Sequence, residues 1–166
     1  TPITGGATTQ VLFNLAGVVS SDSGFTYAGS GGAVALTGIL QLPDTTSATV
    51  GVIQFGGARF IHDAGSNTNV FIGRNAANTT VTGIQNVGIG GGGVLGSLSG
   101  GNNNTAMGYF ALGNQAGSAN STAVGSSALS GATGSANTGV GFNAGANLGA
   151  ASQNTFIGSG TGLGIT

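Results

Sequence analysis

A short pattern of polar, small and aliphatic residues closed by glycine recurs through the second half of the chain. Each copy begins with Asn or Ser, and the closing glycines are 16 to 18 residues apart. So constant a spacing over six copies indicates a repeat architecture rather than a biased composition. The six closing residues are Gly73, Gly90, Gly108, Gly125, Gly141 and Gly158.

A period near 17 residues is too short for a two-helix repeat and fits one coil of a β-solenoid, with two short strands and two turns. Within each copy the residues alternate as they do in a strand, so the aliphatic residue and its neighbour point to opposite faces. We expect the smaller neighbour to allow close approach of another chain, and the aliphatic residue to form the repeat core. The predicted core residues are Ile72, Ile89, Met107, Val124, Val140 and Ile157.

Glycine and asparagine have distinct expected roles in such a coil. The repeat glycine marks a tight bend or left-handed backbone, and the recurring asparagine can stack into a hydrogen-bonded ladder between coils. We therefore predict an all-β protein, a repetitive parallel β-solenoid or β-roll of about six 17-residue coils over residues 69–166.

The first 68 residues lack the repeat. Strand-like segments at 9–14, 24–28, 33–42 and 49–55 are separated by polar or glycine-rich breaks. We expect residues 1–68 to form an N-terminal β-strand or neck region of short irregular strands. The chain begins Thr1-Pro2 without a methionine, which favours a fragment or a processed piece.

Charge is almost absent, and its absence excludes several classes of function. Only five of 166 residues are Asp, Glu, Lys or Arg, and none of these nor His occurs after Arg74. Enzymes and metal sites need titratable or ligating groups, and nucleic-acid binding needs Lys and Arg. No apolar run is long enough to span a membrane. We therefore expect a protein that is not an enzyme and has no cofactor, metal, nucleic-acid partner or membrane insertion.

A single coil contains few large apolar side chains to offset the entropy lost when the chain is ordered. Association with other copies would supply the missing burial. We therefore expect a fibrous homotrimer, in which neutral residues avoid repulsion between identical positions of stacked coils and neighbouring chains.

Several residues invite a chemical interpretation. His62 lies between Arg59 and Asp63, but no nucleophile motif accompanies them, so we predict an ion pair between Arg59 and Asp63 of different chains. The run Gly90–Gly93 lacks the Lys-Ser/Thr of a phosphate loop. The threonine column suggests ice binding only weakly, since it offers one threonine per coil rather than a flat array of two columns, and two further coils carry valine instead. Its residues are Thr105, Thr122, Thr138 and Thr155. Exposed Tyr109, Phe110 or Phe142 could stack on a sugar, although core or interface positions are the simpler interpretation.

The chain resembles a known family at several short motifs. The segments Gln10–Asn14 and Ser21–Tyr27 resemble bacteriophage tail fibre proteins, and residues 51–57 with 59–62 look like the strand pair that precedes the repeats of those fibres. The copies at 104–112 and 154–158 resemble their NTAxGYxAL and NTFIG repeats, and they are similar to the head repeats of trimeric autotransporter adhesins.

The resemblance implies a structural segment of a phage tail fibre that supports host-cell attachment. The expected location is the virion tail fibre or another extracellular site, and the expected partners are two further copies of the chain and a host surface glycan or receptor. A bacterial surface adhesin or appendage is the alternative. A glycan-cleaving spike is disfavoured, because all three aspartates precede the repeats.

Overall fold

A computed structural model describes residues 42, 51–66 and 68–163 of the chain. The chain divides into two compact units, Thr1–Leu40 and Gln41–Thr166, and every described residue belongs to the second. This described part is all-β and contains no helix. Its eight strands are β1 (Ile53–Phe55), β2 (Ala58–His62), β3 (Val70–Ile72), β4 (Val87–Ile89), β5 (Thr105–Met107), β6 (Thr122–Val124), β7 (Thr138–Val140) and β8 (Thr155–Ile157).

One sheet contains all eight strands in sequence order. The strands β3 to β8 are parallel and in register, so that each residue pairs with the equivalent residue of the next coil, as Ala106 pairs with Ala123. Successive parallel strands in adjacent positions, each one period further along the chain, define a solenoid. The predicted β-solenoid is therefore confirmed, with about five turns in the described residues; the sixth coil stays a prediction.

Each coil contains one strand of three residues, so the prediction of two strands per coil is wrong. The other walls of the coil are turns, held to the next coil by backbone hydrogen bonds such as Leu95 N to Ala111 O at 3.0 Å. The reason is local backbone geometry. Leu95, Leu112 and Leu129 have φ of 50°, 49° and 49°, in the left-handed region, where the chain cannot continue as an extended strand.

The narrow core is filled by two complementary columns. The middle residue of each repeat strand points inward, and in the central coils it is small, as in Ala106 and Ala123, which are fully buried. Buried leucines on the opposite wall, such as Leu112, fill the remaining space. Near the two ends of the solenoid the middle residue is phenylalanine and its neighbour in the adjacent coil is glycine: Phe71 beside Gly88, and Phe156 beside Gly139.

These glycines leave space for the aromatic and leucine side chains around them. A Cβ atom at Gly88 would lie 3.1 Å from the Phe71 ring and 3.2 Å from Leu95. A Cβ atom at Gly139 would lie 2.7 Å from Leu129. Large and small residues therefore interdigitate between coils at close packing, as they do in other protein interiors.

The predicted asparagine ladder is confirmed by side-chain hydrogen bonds between coils. The amide of Asn86 donates to Asn69 Oδ1 at 3.3 Å, and that of Asn104 donates to Asn86 Oδ1 at 3.1 Å. The same amides donate to carbonyl groups at the end of their own coil, as Asn104 does to Ser118 at 2.9 Å. Each asparagine thus closes its coil and binds it to the preceding one, and Ser121 takes the equivalent position in a single coil.

An antiparallel hairpin of β1 and β2 stands before the repeats, and β2 pairs with β3. The structure thus shows a strand pair at 53–62, where the resemblance suggested one. The hairpin belongs to the repeat sheet, although the sequence assigned it to the N-terminal region. Of the strands predicted at 9–14, 24–28 and 33–42, only Leu42 is among the described residues, and most of the N-terminal region also lies outside them.

Candidate functional site

The outer face of the repeat sheet carries two continuous columns of side chains. The first strand residue gives Val70, Val87, Thr105, Thr122, Thr138 and Thr155, and the third gives Ile72, Ile89, Met107, Val124, Val140 and Ile157. In-register pairing stacks both columns along the whole solenoid. We call the second set the aliphatic column.

The aliphatic column points away from the core of its own chain, contrary to its predicted role as repeat core. Met107 is 46% exposed and Ile157 is 70% exposed, whereas the neighbouring Ala106 is fully buried. The expectation that the small residues would face another chain is wrong for the same reason. In the central coils the leucine wall leaves room for only a small residue at the middle of the strand, so Ala106 and Ala123 lie inside and the aliphatic residue lies outside.

The six repeat glycines all lie directly after a strand, with φ between 117° and 145°. Side chains are strained in this region of backbone conformation. Space is also restricted, because a Cβ atom at Gly73 would lie 1.8 Å from the carbonyl oxygen of Gly90, and one at Gly125 would lie 2.5 Å from that of Gly141. The glycines therefore permit both the turn and the stacking of one coil on the next.

His62 is buried at the junction of the hairpin and the first coil. Its Nε2 lies 2.8 Å from the Ala76 carbonyl, and its Nδ1 accepts the Ala64 N–H at 3.3 Å, which fixes the neutral Nε2–H tautomer. The ring packs on Phe71 at 5.1 Å between centroids. Burial lowers the pKa of His62, opposed by the hydrogen bond to Ala76, and Arg59 lowers it further while Asp63 raises it.

Backbone groups occupy both nitrogens of His62, so this arrangement serves packing and capping of the solenoid. Arg59 likewise donates from Nη2 to the carbonyl of Ala77 at 3.0 Å. The predicted ion pair between Arg59 and Asp63 of different chains stays a prediction. Next to this cluster lies a cavity of about 280 Å³, to which His62 and Asp63 contribute polar walls.

Exposed aromatic side chains lie at the corner that follows the strands, and the glycines that support them could not be recognised from the repeat pattern. Tyr109 is 63% exposed and Phe142 is 58% exposed. A Cβ atom at Gly92 would lie 2.1 Å from the Tyr109 ring, and one at Gly93 would lie 3.2 Å from the Phe110 ring. The run Gly90–Gly93, considered above as a phosphate loop, thus packs against two aromatic rings from the next coil.

The described residues contain neither a helix able to cross a membrane nor a cluster of three His, Cys, Asp or Glu side chains. Two surface features of the described residues are candidates for a functional role. One is the aliphatic column on the sheet face, and the other is the group of Tyr109, Phe110 and Phe142 beside it, which we call the aromatic corner. No family model, curated protein or solved structure matches this chain.

Proposed function

We propose that the chain is a structural, non-enzymatic segment of a trimeric fibre, of the kind found in phage tail fibres, that supports attachment to a host cell. The observation that carries this proposal is the aliphatic column. A continuous line of exposed and partly exposed apolar side chains along one sheet face is typical of an association surface. The observed exposure of these residues thus gives the predicted homotrimer a physical basis.

Burial of the column would strengthen every coil by a similar amount. Full burial of a Val, Ile or Met side chain is worth about 1.5–3 kcal/mol, and these side chains are partly covered already, so roughly 1 kcal/mol per coil is available. The gain accumulates along the solenoid because every coil contributes an aliphatic residue. A parallel arrangement of identical chains brings each residue next to its own copies, which a face without charge tolerates.

The number three comes from the resemblance of the repeats to tail fibres and trimeric adhesin heads. Those proteins place regular coils around a threefold axis, and a closed group of three buries one flat face per chain without leaving an open face. A bacterial surface adhesin remains the alternative, since the same coils would serve either. Genes for tail proteins beside the coding gene would favour the fibre, and a membrane anchor in the same reading frame would favour the adhesin.

The molar mass in solution tests the trimer. We expect three times 15.6 kDa by light scattering, together with resistance to SDS. Met107→Asp would bring three carboxylates together at the axis and should give monomers. Asn114→Asp is the matched control, because Asn114 is exposed in the same coil outside the strand, and it should leave the mass unchanged. A monomeric wild-type chain would refute the proposal.

A further inference from the structure

We propose that the aromatic corner binds a neutral β-1,4-linked glycan lying along the solenoid axis, with Tyr109 and Phe142 stacking on its sugar rings. This proposal rests on the proposed function, since it assigns the ligand class of an attachment segment. Three observations support it: the spacing of the two residue positions, the rigid support of Tyr109, and a pattern along the corner that does not suit contact between identical chains.

The two rings occupy equivalent places two coils apart. Tyr109 directly follows the repeat glycine Gly108, and Phe142 directly follows Gly141. Backbone hydrogen bonds stack the intervening corners, from Ser127 N to Tyr109 O at 2.8 Å and onward from coil to coil. Since adjacent strands are about 4.8 Å apart, the backbone positions of Tyr109 and Phe142 are about 10 Å apart along the axis.

A β-1,4-linked chain of pyranoses has a matching period. Successive sugars of its extended ribbon are turned over, so the same sugar face recurs at every second unit, at a length close to the spacing of the Tyr109 and Phe142 positions. The apolar C–H face of a pyranose packs on an aromatic ring, and Tyr and Phe supply a large flat apolar surface for that contact. One sugar would lie on Tyr109, the next would lie over Ser126, and a third would lie on Phe142.

The support under Tyr109 holds its ring in place before any ligand binds. The ring lies against the Gly92 backbone, where a Cβ atom would come within 2.1 Å of it. The adjacent Phe110 lies between Gly93 and Gly113, where Cβ atoms would come within 3.2 and 2.7 Å of its ring. A ring fixed in this way loses little conformational entropy on binding, which favours affinity.

The polar groups at the corner suit hydroxyl ligands without charge. Ser126, Ser127 and Asn143 lie between and beside the rings, and their side chains donate and accept hydrogen bonds. The stretch from Tyr109 to Phe142 contains no charged side chain to attract an acidic sugar, and the one cation of this column, Arg74, lies two coils before Tyr109. The surface therefore favours a neutral glycan over an acidic one.

The order of residues along the corner argues against a second copy of this chain as the occupant. In a parallel trimer each coil meets the same coil of its neighbours, so an interface column should be apolar in every coil, as the aliphatic column is. The corner instead alternates between aromatic and polar or glycine positions. The residues that directly follow the six repeat glycines are Arg74, Gly91, Tyr109, Ser126, Phe142 and Ser159.

Isothermal titration with cellohexaose and chitohexaose tests the proposal, with oligogalacturonate as the acidic control. We expect at least one neutral hexasaccharide to bind, the acidic one not to bind, and the double variant Tyr109→Ala/Phe142→Ala to lose at least tenfold in affinity. Phe55→Ala is the control, because Phe55 is an aromatic residue of the hairpin that is 52% exposed and does not belong to the column that follows the repeat glycines. It should bind as the wild type does.

Light scattering on the same samples separates this inference from the trimer. A double variant that loses glycan binding and keeps the trimer mass supports the corner as the site. A trimer that binds neither neutral hexasaccharide, or that binds only the acidic one, refutes the glycan inference and leaves the fibre intact. A double variant that dissociates into monomers also refutes it, since the rings would then belong to the chain interface. A monomeric wild-type chain refutes the fibre proposal alone.

Discussion

Replacement of Asn104 by alanine should show how much the asparagine ladder contributes to stability. Asn104 is fully buried. Its Oδ1 accepts the Ser121 N–H at 3.0 Å, and its Nδ2 donates to Asn86 Oδ1 at 3.1 Å and to the Ser118 carbonyl at 2.9 Å. Asn104→Ala removes these three hydrogen bonds and leaves the Ser121 N–H and the Ser118 carbonyl without them.

The magnitude follows from those two backbone groups. A buried polar group left without a partner costs about 1–3 kcal/mol, so two of them predict a loss of about 2–6 kcal/mol per chain. The Asn86 side-chain oxygen keeps one donor, the Asn104 N–H at 3.0 Å, and adds little to the cost. The loss is a large part of the 5–15 kcal/mol by which folded domains are usually stable.

Urea unfolding followed by circular dichroism measures the effect, at one protein concentration because association contributes to stability. Asn114→Ala is the control, since Asn114 lies in the same coil and is exposed, and it should change the free energy of unfolding by less than about 0.5 kcal/mol. Equal and small losses for both variants would refute the claim that the buried ladder holds the coils together.

Two further predictions concern buried polar groups. Gln115 is fully buried, and neither atom of its side-chain amide has a hydrogen-bond partner among the described residues. Gln115→Leu should therefore raise the free energy of unfolding by about 1–3 kcal/mol, whereas the exposed control Gln153→Leu should not raise it. A loss of stability in Gln115→Leu would contradict this account. Burial lowers the pKa of His62, so the folded chain keeps this side chain neutral at pH values where the unfolded chain protonates it. The contribution of His62 to the free energy of unfolding should be fully present above about pH 6.5 and should fall as the pH is lowered through that value. Urea midpoints at pH 7.5 and 5.5 should differ in the wild type and converge in His62→Gln; an unchanged difference would exclude His62 as its source.

The repeat pattern in the sequence predicted the solenoid and the hydrogen bonds that join its coils. The spacing of Gly73, Gly90 and their equivalents predicted a solenoid with one coil per repeat, and the structure has parallel strands in that register. The recurring asparagines predicted the ladder that Asn86 and Asn104 form. These features depend on local backbone geometry and on contacts between equivalent residues of adjacent coils, so a periodic sequence predicts them directly.

The supporting role of the Gly90–Gly93 run was harder to predict. Gly92 and Gly93 lie one coil before Tyr109 and Phe110 and contact their rings. The coil from Gly90 to Gly108 is one residue longer than the usual 17, so this contact can be recognised only when the position of the additional residue is known. A signal was present in the sequence, since a glycine run next to paired aromatic residues in the following repeat suggests contact. Whether the glycine run contacts those aromatic residues depends on which turn of one coil stacks on which turn of the next.

The sequence by itself determined the period, the strand positions, the turn glycines and the neutral character of the chain. Only the tertiary structure decided which face of each strand lies inside, because alternation separates two faces without saying which one is buried. The space within a coil decides it: the leucine wall of Leu95, Leu112 and Leu129 leaves room for alanine or glycine at the middle of the strand. The aliphatic column is therefore turned outward, toward the surface that we propose joins one chain to the next.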